Sequence, residues 1–286
     1  MMMVLFALCG VAQAGLDGLV GFVTIGNAGN AADGTTGYGA VGYTYQISKT
    51  EVTIAEFQLA TGVGNNNEND WSGVGPNAPA VNVSLYEAKK YANYLTQNAN
   101  GGSSAYNLYS ADGTGAGSYT RADAISDGIL VYALPTEDEW YKAAYYKPVN
   151  DGSYSLYANG TDTVPTHGTT AGWNYYNGGY VNGSPNYTWT AGYGGVEQNG
   201  TYDMMGNVWE WMEDSGGVLR GGSYGSDGGS DLRSSDRNAS AGPAYEATDI
   251  GFRVVAIPEP ASAMLVFFGA GIGLAVHRAR RTAMRR

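Results

Sequence analysis

Cysteine is almost absent: the chain has one, Cys9, and it falls in an apolar run near the first residue. A single thiol can form no disulfide within the chain, and no pair of thiolates exists to hold a soft metal ion. Histidine is nearly as scarce, with only His167 and His277, so a multi-histidine metal centre is excluded too. Basic residues are outnumbered, 15 against 26 acidic ones, for a formal net charge of −11. An acidic body repels phosphate backbones, so no nucleic-acid partner is expected. Long apolar runs are missing as well, except at the two ends.

Both ends read as export signals. The run from Val4 to Ala14 closes on Ala12-Gln13-Ala14, the small-x-small pattern of a secretory cleavage site. Residues 1–14 are therefore expected to be a signal peptide, removed by signal peptidase. At the other end, Ile257-Pro258-Glu259-Pro260 precedes an apolar segment, Ala261 to Val276, and a basic cluster, His277-Arg278-Ala279-Arg280-Arg281. As a helix rising ~1.5 Å per residue, segment 261–276 falls slightly short of a hydrocarbon core of about 30 Å, a gap that tilt and snorkelling arginines can close. The basic end would stay cytoplasmic and everything before it would lie outside. This tail, residues 257–286, is similar to the PEP-CTERM sorting signal. The resemblance implies recognition by an exosortase, a location at the cell surface or beyond, and a transient membrane anchor; a permanent anchor is the other reading.

The body between, residues 15–256, is rich in Gly, Tyr, Asn, Ser and Thr. Three capping boxes mark helix starts, each a hydroxyl residue followed three positions later by a glutamate: Thr53/Glu56, Ser84/Glu87 and Thr136/Glu139. They predict helices near 53–60, 84–97 and 136–146. The second is the clearest, because Leu85, Ala88, Tyr91, Ala92 and Leu95 then share one face. Clusters of β-branched and aromatic residues predict strands at 19–24, 41–48, 130–133 and 251–256. Segments 61–80, 98–128 and 150–200 read as long loops, which in a single domain need ordering by something beyond a hydrophobic core. Bound calcium is one candidate.

Six local strings occur in a telling order: Tyr45 to Thr53 with its Glu-Val-Thr ending, Pro79 to Ser84, Leu134-Pro-Thr-Glu-Asp-Glu-Trp140, Gly206-Asn-Val-Trp-Glu-Trp211, Arg220-Gly-Gly-Ser-Tyr224 and Gly251-Phe-Arg253. Together they resemble the formylglycine-generating, or sulfatase-modifying factor, family. That resemblance implies one α/β (α+β) domain of the C-type-lectin-like kind, with little regular secondary structure. It also implies two calcium sites. One would draw on Asp203, Gly206, Val208 and Glu210, all oxygen donors suited to a hard cation. The other would begin at Asn174 and Tyr175, although its later acidic partner is not recognisable in 188–195. A carboxylate at Glu210 hydrogen-bonded to loop amides is the bland alternative to the first.

The family's oxidase chemistry uses copper held by two cysteines. Counted from Tyr224, those positions fall on Ser226 and Asp231, which cannot supply thiolates. Copper is therefore not expected, and neither is the family's oxidase activity. From Gly221 to Asn238 the chain is almost wholly small and polar, a composition typical of adaptable contact surfaces. Ser226, Asp227, Ser230, Asp231 and Arg233 are the candidate ligand-binding residues, with an extracellular polysaccharide or a surface protein as the ligand. An enzyme with altered chemistry at Asp231 or Asp236 is the rival, and a passive structural module the third possibility. Arg220, Arg253 and Arg237 are expected to act as braces for loop carbonyls. Asp138 and Glu139 lie in a capping box and His167 in a loop, so acid–base roles are not expected of them.

Overall fold

The computed structural model describes residues 21–60, 75–147, 152–169, 171–184, 187–213, 216–239 and 241–257. The expected signal peptide 1–14 and the membrane segment 261–276 lie outside these. No helix among the described residues is long and apolar enough to cross a membrane.

The three capping boxes form as read. Helix α1 (Ile54–Leu59) starts at Thr53, α2 (Leu85–Ala99) at Ser84 and α4 (Glu137–Tyr145) at Thr136, each with both reciprocal bonds present. A fourth helix, α3 (Arg121–Asp127), stands inside the stretch expected to be loop. It too has a capping box, Thr120 with Asp123, and ends on Gly128 in the left-handed region at φ 69°. A one-turn 3₁₀ helix, Ser104–Tyr106, also breaks that stretch.

Seven short strands form two sheets: β1 (Phe22–Ile25), β2 (Tyr45–Ser48), β3 (Val131–Ala133), β4 (Trp209–Trp211), β5 (Leu219–Arg220), β6 (Ile250–Gly251) and β7 (Val255–Ile257). The first sheet runs β1-β2-β7-β3 and is antiparallel, with Ile47 opposite Val255 and Ala133 opposite Val255 on the other side. The second runs β5-β4-β6, with β4 antiparallel to β5 and parallel to β6. The single strand expected over 251–256 is thus two. Ile250–Gly251 pairs with the Trp-Glu-Trp strand, and Phe252 to Val254 carries the chain across to the first sheet.

Both faces of the first sheet are buried, and the period of two along its strands separates two cores. Val131, Ala133, Val255 and Ile257 join Tyr45, Ile47 and the α4 residues Trp140, Tyr141 and Tyr145 on one side. Tyr132 and Ala256 join Ile54 and Phe57 of α1, Leu85, Tyr91 and Leu95 of α2, and Trp211 and Phe252 on the other. The regular elements make a scaffold from which the glycine-rich loops project.

Candidate functional site

The Trp-Glu-Trp strand carries a buried carboxylate, and the scaffold supplies its counter-charge. Arg253 Nε donates to Glu210 Oε2 and Nη2 to Oε1, both at 2.6 Å, and the pair is fully buried. Trp140 Nε1 from α4 adds a third donor at 2.7 Å. Arg253 also donates to the carbonyls of Ser48, Lys49 and Tyr202, so one guanidinium ties β2, the loop before β4, and β4 itself together. Glu210 is thus held by a guanidinium and an indole N–H, not by loop amides. Arg253 is the expected brace for loop carbonyls, and its acidic partner is Glu210 of β4. Arg220 is built the same way. It pairs with Glu137 at 2.6 Å and donates to the carbonyls of Ser234 and Asp236, while Arg237 reaches Glu137 as well.

Around this pair the acidic groups outnumber the guanidinium. Asp203 accepts from Trp189 Nε1 at 3.0 Å and from Gly192 N at 2.7 Å. Glu51 accepts from Asn207 Nδ2 through Oε1, and its buried Oε2 has no partner. Burial raises the pKa of Glu51 well above the usual carboxyl value, with Asp203 and Glu210 adding to the rise, and burial likewise raises Asp203. Asn207, in the left-handed region at φ 60°, is the hub. Its Oδ1 accepts from Asn174 Nδ2 and from Trp189 N, both at 3.1 Å. Its backbone links Asn174 to Tyr224. The Asn174 Oδ1, like Glu51 Oε2, is buried and unpartnered.

Of the residues expected to bind calcium, Asp203, Glu210, Gly206 and Asn174 are thus brought into one region, while the Val208 side chain lies in the second core and that of Tyr175 in the first. Asn174 packs on Gly206, whose absent Cβ would lie 2.2 Å from the Asn174 carbonyl oxygen. Among the described residues no three His, Cys, Asp or Glu side chains gather as a metal centre. An ion here would draw on one or two carboxylates together with amide and backbone oxygens. The Asn174 oxygen is available for that role, whereas those of Glu210 are already shared with Arg253. Glu51 and Asn207 belong to this region and were not singled out from the sequence, although both stand in the quoted motifs.

The candidate contact loop follows β5. Ser226 is buried: its Oγ accepts from Ser223 N at 3.0 Å, and its carbonyl accepts from Tyr176 N at 2.9 Å. It shapes the loop from inside and does not face a ligand. Gly228 lies flat on the Tyr175 ring, where a Cβ would come within 2.1 Å. Asp227, Ser230 and Arg233 face solvent. Asp231 is half-buried and accepts from Asp227 N at 3.0 Å and from Ser230 Oγ at 2.6 Å. Leu232 and Ser234 turn inward, so the segment alternates anchors with exposed polar residues.

Beside this loop stands a group of four tyrosines that the sequence did not reveal, because 48 positions separate its ends. Tyr187 stacks on Tyr224 with centroids 5.3 Å apart and planes at 17°. Tyr180 packs on Tyr187 at 4.5 Å, and Tyr176 on Tyr180 at 5.1 Å. A cleft of ≈ 290 Å³, lined by Trp209, Leu219, Asn238, Tyr245, Asp249 and Ile250 among others, opens on the second sheet. Asp249 links its rim to the loop through Ser223 Oγ, and Thr248 meets the Tyr224 hydroxyl at 3.2 Å.

Glu139 accepts from Thr136 N in its capping box and from Tyr43 and Arg121, whereas Asp138 takes no part in the box and accepts from Gly39 N. His167 packs edge-on against Tyr175.

Few regular elements, two small sheets and long ordered loops define a single mixed α/β domain of the C-type-lectin-like kind. Residues 21–257 match the sulfatase-modifying factor enzyme 1-like domain, and the chain belongs to that family. Among solved structures it is similar to Treponema denticola variable protein 1, with 23% identity over 83% of this chain and 95% of that one at a TM-score of 0.57. It is also similar to CarF, with 23% identity over 82% and 97% of the two chains at a TM-score of 0.56. At such identity these likenesses speak for the fold alone. No curated protein matches the chain.

Proposed function

We propose that this domain is a non-catalytic binding module of an exported protein, acting at the cell surface or in an extracellular matrix through the loop from Tyr224 to Arg233. The observation that carries the reading is the identity of two residues. Where the family's resemblance calls for copper-binding thiolates, this chain has Ser226 and Asp231. A hydroxyl and a carboxylate cannot bind cuprous ion as thiolates do or enter a thiol redox step. Copper therefore does not fit the residues present.

Both positions have work inside the loop instead. Ser226 organises the backbone and Asp231 caps its own turn, which leaves Asp227, Ser230 and Arg233 outward. The rival reading, an enzyme with altered chemistry, draws support from Asp236, whose carboxyl is pushed up by burial and by Asp231. Export by way of signal peptidase and exosortase rests on the two end segments.

A calcium ion beside Asp203 and Asn174 belongs to the same proposal, with Glu210 left to Arg253. Its support is the local excess of buried carboxylates over Arg253 and the unpartnered Asn174 and Glu51 oxygens. The ion would supply structural charge compensation to loops with little regular structure.

The test of the binding reading uses the full chain, fluorescently labelled, against extracellular polymer from the producing cells. Ser230→Trp and Arg233→Glu should leave the melting temperature nearly unchanged, since exposed changes fall within about 0.5 kcal/mol, while binding is lost. Binding that survives both changes would refute the loop as the contact face.

A further inference from the structure

The geometry points to a neutral polysaccharide as the ligand, held on the tyrosine platform formed by Tyr176, Tyr180, Tyr187 and Tyr224. This rests on the reading of the neighbouring loop as a contact face, and it names the chemistry that face would take.

The rings form a continuous chain of contacts, Tyr176 to Tyr180 to Tyr187 to Tyr224, with centroid separations of 5.1, 4.5 and 5.3 Å. They are fixed to the loop at two points. Tyr224 is part of it, and Tyr176 is bonded to it through its backbone, pairing with Asp227 as an isolated bridge. Tyr176 and Tyr180 are nevertheless 39% and 48% exposed. Rings exposed to that degree, and meeting at 64° and 52°, form a projecting ridge of separately inclined faces rather than a filled pocket.

An aromatic face is electron-rich and apolar, and the hydroxyl at its edge is polar. A sugar ring is the complement: its C–H face can lie on the π-surface while its hydroxyls reach donors and acceptors at the rim. Here the rim supplies Asp227, Ser230 and Arg233 from the loop, all facing solvent. A peptide ligand is less well matched, because peptide recognition rests on anchors seated in desolvated pockets. The platform itself is tyrosine throughout, and the exposed aliphatic residues Leu59, Ile125, Val164 and Val196 lie on other segments.

Charge narrows the class further. Asp227, Asp231 and Asp249 border the platform, Arg233 is the one cation of the contact loop 224–233, and the whole chain carries −11. A polyanion would be repelled by this face, which leaves an uncharged polymer, held by C–H stacking rather than by ion pairs, as the ligand proposed.

The experiment is native gel electrophoresis of the full chain in gels containing hydroxyethyl cellulose, galactomannan or alginate, with an array of peptides in parallel. Retardation is expected in at least one neutral polymer and not in alginate. Tyr176→Ala and Tyr180→Ala should each weaken it about tenfold, the scale of a contact residue. Tyr193→Ala, a similarly exposed tyrosine at 58% on another segment, should change nothing. Absence of retardation in both neutral polymers, retardation by alginate alone, or unchanged retardation of the Tyr180→Ala protein would overturn the proposal. Peptide binding sensitive to Ser230→Trp but without any glycan binding would overturn it too, while leaving the loop standing as a contact face. Glycan binding lost in Tyr180→Ala but untouched by Ser230→Trp and Arg233→Glu would support the platform and fault the loop.

Discussion

Arg253 shows how much one side chain can organise in a domain with few regular elements. Its two bonds to Glu210 are buried, and removing one partner of such a pair leaves an unpaired charge that costs several kcal/mol, on the order of 3–5. The other carboxylates nearby have no guanidinium to themselves. Glu197 accepts from Trp173 Nε1, Thr201 Oγ1 and Met204 N, and burial pushes its carboxyl up to about 8. A carboxyl whose folded pKa lies above its unfolded value near 4.5 contributes stability that is full below the lower value and is lost as pH rises through the upper one. In chelator, the melting temperature should fall between pH 5 and pH 8, roughly the window between those two pKa values, and Glu197→Gln should reduce that slope, leaving the part due to Asp203 and Glu51. An unchanged slope in the variant would show that Glu197 is ionised in the folded protein throughout. Calcium is tested at the same scale. Binding to the folded state alone stabilises it by mass action, so chelator should lower the melting temperature and Asp203→Asn should remove that sensitivity. Identical melting curves with and without chelator would remove the ion from the account.

At the scale of elements, the capping boxes were the most legible feature of the chain. Ser84 accepts from Glu87 N at 3.4 Å, and Glu87 Oε2 accepts from Ser84 N at 2.9 Å, a local exchange that needs nothing from the rest of the fold. Ser84→Ala should cost about 1 kcal/mol in a denaturant titration; a loss of nothing would mean that packing alone fixes the start of α2. Helix α3 escaped because its box uses Asp123 where the usual pattern has a glutamate, and because its one buried apolar residue, Ala124, gives no periodic face. The strands were less legible. Gly251 and Val255 are four positions apart yet join different sheets, and only the partners Glu210 and Ile47 decide that. The calcium candidates could be carried from motif positions, but the unpartnered Asn174 and Glu51 oxygens depend on where Asn207 lies. The inward turn of Ser226 was not legible either. A serine among glycines reads as surface, and only its bond to Ser223 N and the Tyr176 contact to its carbonyl bury it.

For the whole molecule, the scaffold of the sulfatase-modifying factor family is present without the thiols its oxidase chemistry requires. The helices, both sheets and the Arg253 and Arg220 braces lie within the matched residues 21–257, while the loop those elements support is rich in serine, glycine and aspartate and holds no cysteine. On the function proposed, this domain binds and does not oxidise. The most direct measurement incubates the purified chain with copper, oxygen and a Cys-x-Pro-x-Arg peptide and follows the peptide by mass spectrometry. The cysteine should remain untouched at every copper concentration; its conversion to the aldehyde, abolished by boiling the protein, would contradict a non-catalytic binding role outright.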